Sequence, residues 1–207
     1  MNDYEKYLAQ VIPEKDCLKT VKAEAKRFYE THSPAECLDT GMSLYQSENF
    51  QIQETGVLLL GYCDRKEALE FLRDEASRHP SWKVQEVVAM AFDNHCRLIG
   101  YENALPLITA WLEDERPNVR RAASEGLRVW TSRPYFKEHP ETAIRLLASR
   151  REDESEYVRK SVGNALKDIG KKFSEALREE LGKWDLSSPR AKQVHKLAGK
   201  FIDGGKG

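Results

Sequence analysis

Three carboxylates of this 207-residue chain, Glu86, Glu125 and Asp168, lie on the same helix face in successive copies of a repeated motif. Carboxylates on one helix face can stabilise a developing positive charge and orient a water molecule. Acidic residues are also ordinary on solvated helix surfaces, and Glu125 could simply pair with Arg121, four residues earlier. The residue types therefore permit a catalytic site but do not by themselves require one.

Basic and aromatic side chains accompany these acids. Arginine and lysine bind phosphate groups, and an indole face attracts a cation. Trp82 and Trp130 are the aromatic candidates, and each is equally suited to a packing role. We expect Arg120 and Arg159, which directly follow a motif valine, to brace neighbouring repeats. The basic candidates are Arg121, Arg128, Arg159, Lys160 and Lys167, continued near the C-terminus by Arg190, Lys192, Lys196 and Lys200.

The motif that carries these residues recurs four times. It opens with a branched apolar residue, continues with Gln or Arg, and runs into small and apolar residues. The four opening residues are Ile52, Val84, Val119 and Val158, at spacings of 32, 35 and 39 residues. A period of roughly forty residues with two helices per unit is typical of HEAT and armadillo arrays. The first helices of the pairs are predicted at residues 66–79, 103–113, 141–151 and 174–183.

The sequence therefore predicts an all-α fold, a HEAT-like or armadillo-like helical-repeat superhelix. Sustained two-residue alternation is missing, and helix-start signals such as Ser33-Pro34-Ala35-Glu36 punctuate the chain. We expect a single domain over residues 1–207. Capping helices are predicted in residues 1–47, stacked helix pairs in 48–203, and a disordered tail at 204–207.

Composition argues against several other classes of protein. No apolar run approaches the length needed to cross a bilayer, so we predict no membrane association. The N-terminus lacks the basic and apolar regions of a signal peptide, which favours a cytoplasmic location. The four cysteines, Cys17, Cys37, Cys63 and Cys96, lack the spacing of a zinc site or a disulfide framework. We therefore predict no metal and no other cofactor.

The net charge of −1 conceals an asymmetry between the two halves. Residues 1–114 carry a net charge of −8, whereas residues 115–207 carry +7. A basic half indicates a surface for an anionic partner, although charged helix faces are also often merely solvated.

Two segments of the second half resemble the AlkC family of alkylpurine DNA glycosylases, whose fold the related AlkD family shares. They are residues 119–128 (VRRAASEGLR) and residues 153–169 (DESEYVRKSVGNALKDI). The resemblance implies binding of duplex DNA and hydrolysis of the N-glycosidic bond of cationic N3- or N7-alkylpurines. A cationic base can leave without a general acid, so carboxylates that stabilise the sugar cation and position water would suffice.

The resemblance also implies roles for particular residues. It places the acidic active-site positions of AlkC-type proteins on Glu86, Glu125 and Asp168. Trp82 and Glu86 have the one-turn spacing of the AlkD-type Trp–acid pair, and an AlkD-type basic position falls on Arg121.

The chain departs from both families at two aromatic positions. Asn164 stands where AlkD-type sites have a tryptophan, and Arg133 stands where the AlkC motif continues with one, although Trp130 lies one turn earlier. The complete set of predicted DNA-binding residues is Trp82, Arg121, Arg128, Trp130, Lys160, Asn164 and Lys167.

Two functions follow as hypotheses. The first is a monomeric DNA alkylation repair-like protein that binds duplex DNA on a concave face and excises alkylpurines. The second is a non-catalytic HEAT-repeat scaffold that binds DNA or a protein partner. The missing tryptophan at Asn164 and the pI of about 6.5 favour the second, because duplex-binding domains are usually more basic.

Overall fold

Helices form the regular secondary structure of residues 3–15 and 17–202, the part of the chain described by this computed structural model. That part contains thirteen α-helices and no strand, which confirms the predicted all-α fold. The α-helices are α1 (Asp3–Val11), α2 (Leu18–Thr31), α3 (Pro34–Tyr45), α4 (Phe50–Gly61), α5 (Lys66–Asp74), α6 (Trp82–Ile99), α7 (Leu105–Leu112), α8 (Pro117–Trp130), α9 (Pro134–Glu138), α10 (Pro140–Ala148), α11 (Glu156–Gly170), α12 (Ser174–Leu181) and α13 (Pro189–Ala198). Two 3-10 helices cover Ala76–Arg78 and Gly199–Phe201.

The chain divides into two compact units, Met1–Gly100 and Tyr101–Gly207. The division follows α6, where Gly100 has a φ of 85°, a backbone conformation that glycine adopts without strain. The predicted boundary between capping helices and stacked pairs at residue 48 stays a prediction. The predicted tail at residues 204–207 lies outside the described residues.

The four motifs open the second helices of the repeats, as predicted. Ile52, Val84, Val119 and Val158 lie in the first turns of α4, α6, α8 and α11, and all four side chains are buried. The longest spacing, between the third and fourth motifs, includes the short extra helix α9. A branched apolar residue at this place fixes which face of each second helix turns toward the core.

In the first unit, α4 is the central element and packs against α2, α3 and α6. Ten of its twelve residues are buried, so it is enclosed on nearly all sides. Its glycines allow neighbouring helices to approach closely. A Cβ added at Gly61 would lie 2.5 Å from the Ala91 backbone of α6, and one at Gly56 would lie 2.6 Å from the Gly41 carbonyl of α3.

In the second unit, the second helices lie side by side, with α8 against α11 and α11 against α13. The first helices α7, α10 and α12 pack on this layer. Small buried residues bring α8 and α11 together, since the Ser124 and Ser161 hydroxyl oxygens are 3.1 Å apart across their interface. This close approach positions the polar side chains on the two helices' outer surface.

The second position of every motif braces the loop that precedes it. Gln53 and Gln85 donate side-chain hydrogen bonds to the carbonyl six residues earlier, at 2.8 and 2.7 Å. Arg120 and Arg159 do the same at 2.8 and 2.7 Å, and each also donates to the next carbonyl. Arg120 additionally binds Asp153, which belongs to the following repeat, through two bonds of 2.7 and 2.8 Å. The prediction that Arg120 and Arg159 brace the repeats is confirmed.

No helix in the described part of the chain is long and apolar enough to cross a membrane.

Three cysteines, Cys37, Cys63 and Cys96, are buried as free thiols, and Cys17 is half-buried. Burial raises the pKa of the Cys63 thiol to about 12, which disfavours the reactive thiolate. Within the described ranges, no three His, Cys, Asp or Glu side chains gather as a metal site would require.

Candidate functional site

The neighbouring helices α8 and α11 bring two of the three predicted acids around one arginine. The Arg128 guanidinium on α8 donates to the Asp168 carboxylate on α11 at 2.6 Å and to Glu125, one turn earlier on α8, at 3.4 Å. Lys171 donates to the other Asp168 oxygen at 2.7 Å. We call these four residues, Glu125, Arg128, Asp168 and Lys171, the Arg128 cluster.

The charges of the Arg128 cluster are held in place by one another. Burial by itself raises the pKa of the Asp168 carboxyl, but hydrogen bonds from Lys171 and Arg128 outweigh it, and the net pKa lies below its ordinary value. The hydrogen bond to Asp168 is likewise the main cause that raises the pKa of Arg128. Asp168 is therefore ionised at neutral pH, while the cluster remains accessible because the Arg128 side chain is 42% exposed.

Lys171 was missed by the sequence reasoning, although a signal for it existed. It lies three residues after Asp168, a spacing at which oppositely charged side chains on a helix meet. Its position at the end of α11 also favours a cation electrostatically.

Four further predicted DNA-binding residues lie on these two helices, namely Arg121 on α8 and Lys160, Asn164 and Lys167 on α11. Lys167 donates to the Asn164 amide oxygen at 2.9 Å, so these two side chains form a pair directly before Asp168 on α11. Lys160 is exposed and pairs with Glu156 at 2.7 Å. Arg121 is half-buried on α8, one turn before Glu125. The contacts of Lys160 and Lys167 orient these two basic side chains.

Trp130 takes a packing role in place of the DNA contact expected from the sequence. Its side chain is fully buried, with ring centroids 5.4 Å from Tyr101 and 5.7 Å from Phe136. Its ring also covers Gly126, where an added Cβ would lie 2.7 Å from the indole. A DNA base cannot reach a side chain in this environment, because the surrounding aromatic rings occupy that space.

The remaining candidates lie in the first unit, both on α6. Trp82 is the first residue of α6, and its side chain is 62% exposed, so it is accessible to a ligand. Glu86 follows one turn later and is exposed as well. Their one-turn spacing therefore places an aromatic ring and a carboxylate on the same accessible stretch of helix.

Glu54 is an acid two residues after Ile52, the motif position that Glu86 holds after Val84, and it is not among the predicted site residues. It lies on α4 and is 3% exposed, with the Cys17 sulfur 4.0 Å from its carboxylate. Burial raises the pKa of Glu54, the positive charge of Lys83 lowers it, and the negative charge of Glu86 raises it further, with a net upward shift. Its burial depends on packing between α4, α2 and α6, which the motif pattern does not report.

Glu54→Gln is expected to stabilise the protein at pH 7 and to leave stability unchanged near pH 4. The folded state raises the pKa of the Glu54 carboxyl, which means that it favours the protonated, neutral form. The stability that this protonation contributes is fully present below the ordinary pKa of 4.5 and is lost as the pH rises through the folded-state pKa. A neutral Gln avoids that loss. Thermal unfolding at both pH values measures the difference. Glu67→Gln, which alters an exposed carboxyl on α5 that does not act on Glu54, is the matched control. An equal shift of Glu54→Gln at both pH values would contradict this expectation.

The fold and these contacts define a HEAT-repeat protein, and comparison with known proteins supports this class. The family model described as HEAT repeats matches residues 38–127 and 69–167. The solved structure of AlkD2 from Streptococcus mutans is 46% identical, with a TM-score of 0.91, and the match covers 97% of this chain and 98% of that one. The structure of smu.31 from Streptococcus mutans UA159 is 47% identical, with a TM-score of 0.87 and coverage of 96% and 99%.

The chain belongs to the AlkD-like superfamily of HEAT-repeat proteins. It is also similar to a curated relative, the uncharacterized protein YhaZ of Bacillus subtilis (strain 168), with 37% identity over 105 residues. That match covers 49% of this chain, and the chain spans only 29% of the length of YhaZ. The family resemblance inferred from residues 119–128 and 153–169 is confirmed.

Proposed function

We propose that this chain is a DNA alkylation repair-like protein that binds duplex DNA through its second unit and excises cationic N3- or N7-alkylpurines there. One observation carries the proposal. Two carboxylates from neighbouring repeats, Glu125 and Asp168, lie around a single arginine on an accessible surface. The superfamily supports DNA as the partner, and the net charge of +7 over residues 115–207 suits a polyanion.

The chemistry assigned to the Arg128 cluster follows from its charges. An alkylated purine leaves as a neutral base, and the positive charge that develops on the sugar needs an ionised carboxylate nearby. Asp168 is ionised at neutral pH, as this role requires. The guanidinium of Arg128 and the ammonium of Lys171 can each bind a DNA phosphate. The phosphate then competes with the Glu125 and Asp168 carboxylates for these two cations. DNA binding would thereby free Glu125 and Asp168 to face the sugar.

A second candidate function is a non-catalytic binding protein with the same fold. It is favoured by the ion pairs themselves, because Arg128 and Lys171 already neutralise the Asp168 carboxylate in the unbound protein. The burial of Trp130 and the presence of Asn164 at the AlkD-type tryptophan position remove aromatic surfaces that could hold a nucleotide. A protein of this kind would bind DNA or a protein partner without releasing a base.

Replacing Arg121, Lys160 and Lys167 together by alanine is expected to weaken binding to duplex DNA and to flatten its salt dependence. Each phosphate contact contributes about 0.9 to the slope of log affinity against log salt, so losing three contacts lowers the slope by about 2.7. Fluorescence anisotropy of a labelled duplex over a series of salt concentrations measures both quantities.

The matched control for this triple variant removes three exposed lysines of the first unit, Lys15, Lys19 and Lys22. It changes the net charge by the same amount. Equal losses in the two triple variants would show that only overall charge matters and would contradict a DNA site on α8 and α11. If the wild-type protein has no affinity for duplex DNA, a protein-binding scaffold is the remaining function. The cytoplasmic location and the monomeric state stay predictions.

A further inference from the structure

The last helix and the 3-10 helix that follows it present a strongly basic surface. Their small and apolar residues, Ala191, Val194, Ala198 and Gly199, are buried, and both helices pack against α11. Residues 189–201 contain four arginines and lysines and no acidic residue. The exposed basic residues are Arg190, Lys192, Lys196 and Lys200.

Three of these cations form a row, which we call the lysine stripe. Lys192 and Lys196 lie four residues apart on one side of α13, about 6 Å from each other along its axis, and Lys200 follows four residues later in the 3-10 helix. Exposed lysines at regular intervals without acidic neighbours on the same helix suit an extended polyanion better than a compact one.

An exposed aromatic ring ends the lysine stripe. Phe201 is 52% exposed although it is large and apolar. The ammonium of Lys171 lies 5.1 Å from the centre of its ring, and Lys171 also binds Asp168 of the Arg128 cluster. Phe201 is therefore connected to the candidate site through a single side chain. A single exposed Phe is unremarkable on a protein surface, but one that adjoins a row of cations is the combination that binds nucleic-acid strands by stacking.

We propose that the lysine stripe and Phe201 bind a single-stranded segment of DNA. A phenyl ring has no polar atom with which to read a base edge, and its stacking on a base requires an accessible base face. In a duplex those faces are covered by neighbouring bases, whereas in a single strand they are open. The lysine stripe would hold the phosphates of the same strand. This inference rests on the proposed function in that it assumes DNA as the partner, and it adds unpaired bases as the feature recognised.

The test measures anisotropy of a fluorescent single-stranded oligothymidine with the full chain. Phe201→Ala is expected to weaken binding about fivefold to hundredfold, because stacking on one aromatic ring contributes that much per base. Phe201→Trp is expected to restore the affinity. Removing the three lysines of the stripe is expected to lower the salt slope by about 2, from 0.7 per contact. The control variant lacking Lys15, Lys19 and Lys22 is expected to bind as the wild type does.

Two results would overturn the inference. One is equal affinity of Phe201→Ala and the wild type for the single strand, and the other is an equal loss in the lysine-stripe and control variants. Thermal unfolding of Phe201→Ala should match the wild type, because a half-exposed ring contributes little to the core. Base release from duplex DNA separates this inference from the proposed function. Release without Phe201-dependent strand binding rejects the inference alone, whereas strand binding without release supports it and rejects the excision.

Discussion

Arg120→Ala is expected to lower the free energy of unfolding by about 3–5 kcal/mol. The Arg120 and Asp153 side chains are only 6% and 3% exposed, and their two hydrogen bonds measure 2.7 and 2.8 Å. Removing the guanidinium leaves the buried Asp153 carboxylate without its cation. It also removes the hydrogen bonds that Arg120 donates to the Asp114 and Glu115 carbonyls. Urea unfolding followed by circular dichroism at pH 7 measures the loss.

Arg159→Ala is the matched control for this variant. Arg159 holds the same motif position and makes the same carbonyl contacts, but its Nε donates to the neutral amide of Gln193. Because no buried charge is left without its partner, we expect a smaller loss of about 2 kcal/mol, at the lower end of what three hydrogen bonds contribute. Losses of equal size in the two variants would refute the role assigned to the Asp153 carboxylate.

Asp168→Asn and Glu125→Gln are each expected to slow base release by about 100- to 1000-fold. Each substitution keeps the shape of the side chain and removes the charge that would stabilise the sugar cation. Affinity for DNA should stay the same or rise, since a negative charge near the phosphates is lost. Single-turnover release from methylated duplex DNA measures the rate.

Glu156→Gln provides the control for the acid variants. Glu156 also lies on α11 and pairs with Lys160, but its side chain is outside the Arg128 cluster. We expect this variant to release base at the wild-type rate. A comparable loss in Glu156→Gln would mean that general electrostatics, and not the Arg128 cluster, controls the reaction.

The fold was predictable because the repeat imposes the same local requirements four times. A branched apolar residue, a loop-bracing Gln or Arg and small residues for close helix packing follow one another in each second helix. The structure buries Ile52, Val84, Val119 and Val158 accordingly. The proximity of the helices carrying Glu125 and Asp168 was predictable for the same reason, since equivalent helices of adjacent repeats lie side by side.

Environments created by distant segments were not predictable from the motif. Trp130 could have faced solvent or core, and its burial depends on Tyr101 and Phe136, which come from other elements. Glu54 and Glu86 hold the same motif position. Glu86 is exposed, whereas packing around α4 buries Glu54. Both outcomes are set by tertiary contacts, whereas the sequence pattern reports only which face of a helix is apolar.

Release of 3-methyladenine or 7-methylguanine from methylated duplex DNA, with wild-type protein in excess over the lesion, tests the central claim most directly. We expect free base to appear, and we expect that release to collapse when Glu125 is replaced by Gln or Asp168 by Asn. No release under these conditions would contradict excision at the Arg128 cluster and would leave the non-catalytic binding protein as the function of this chain.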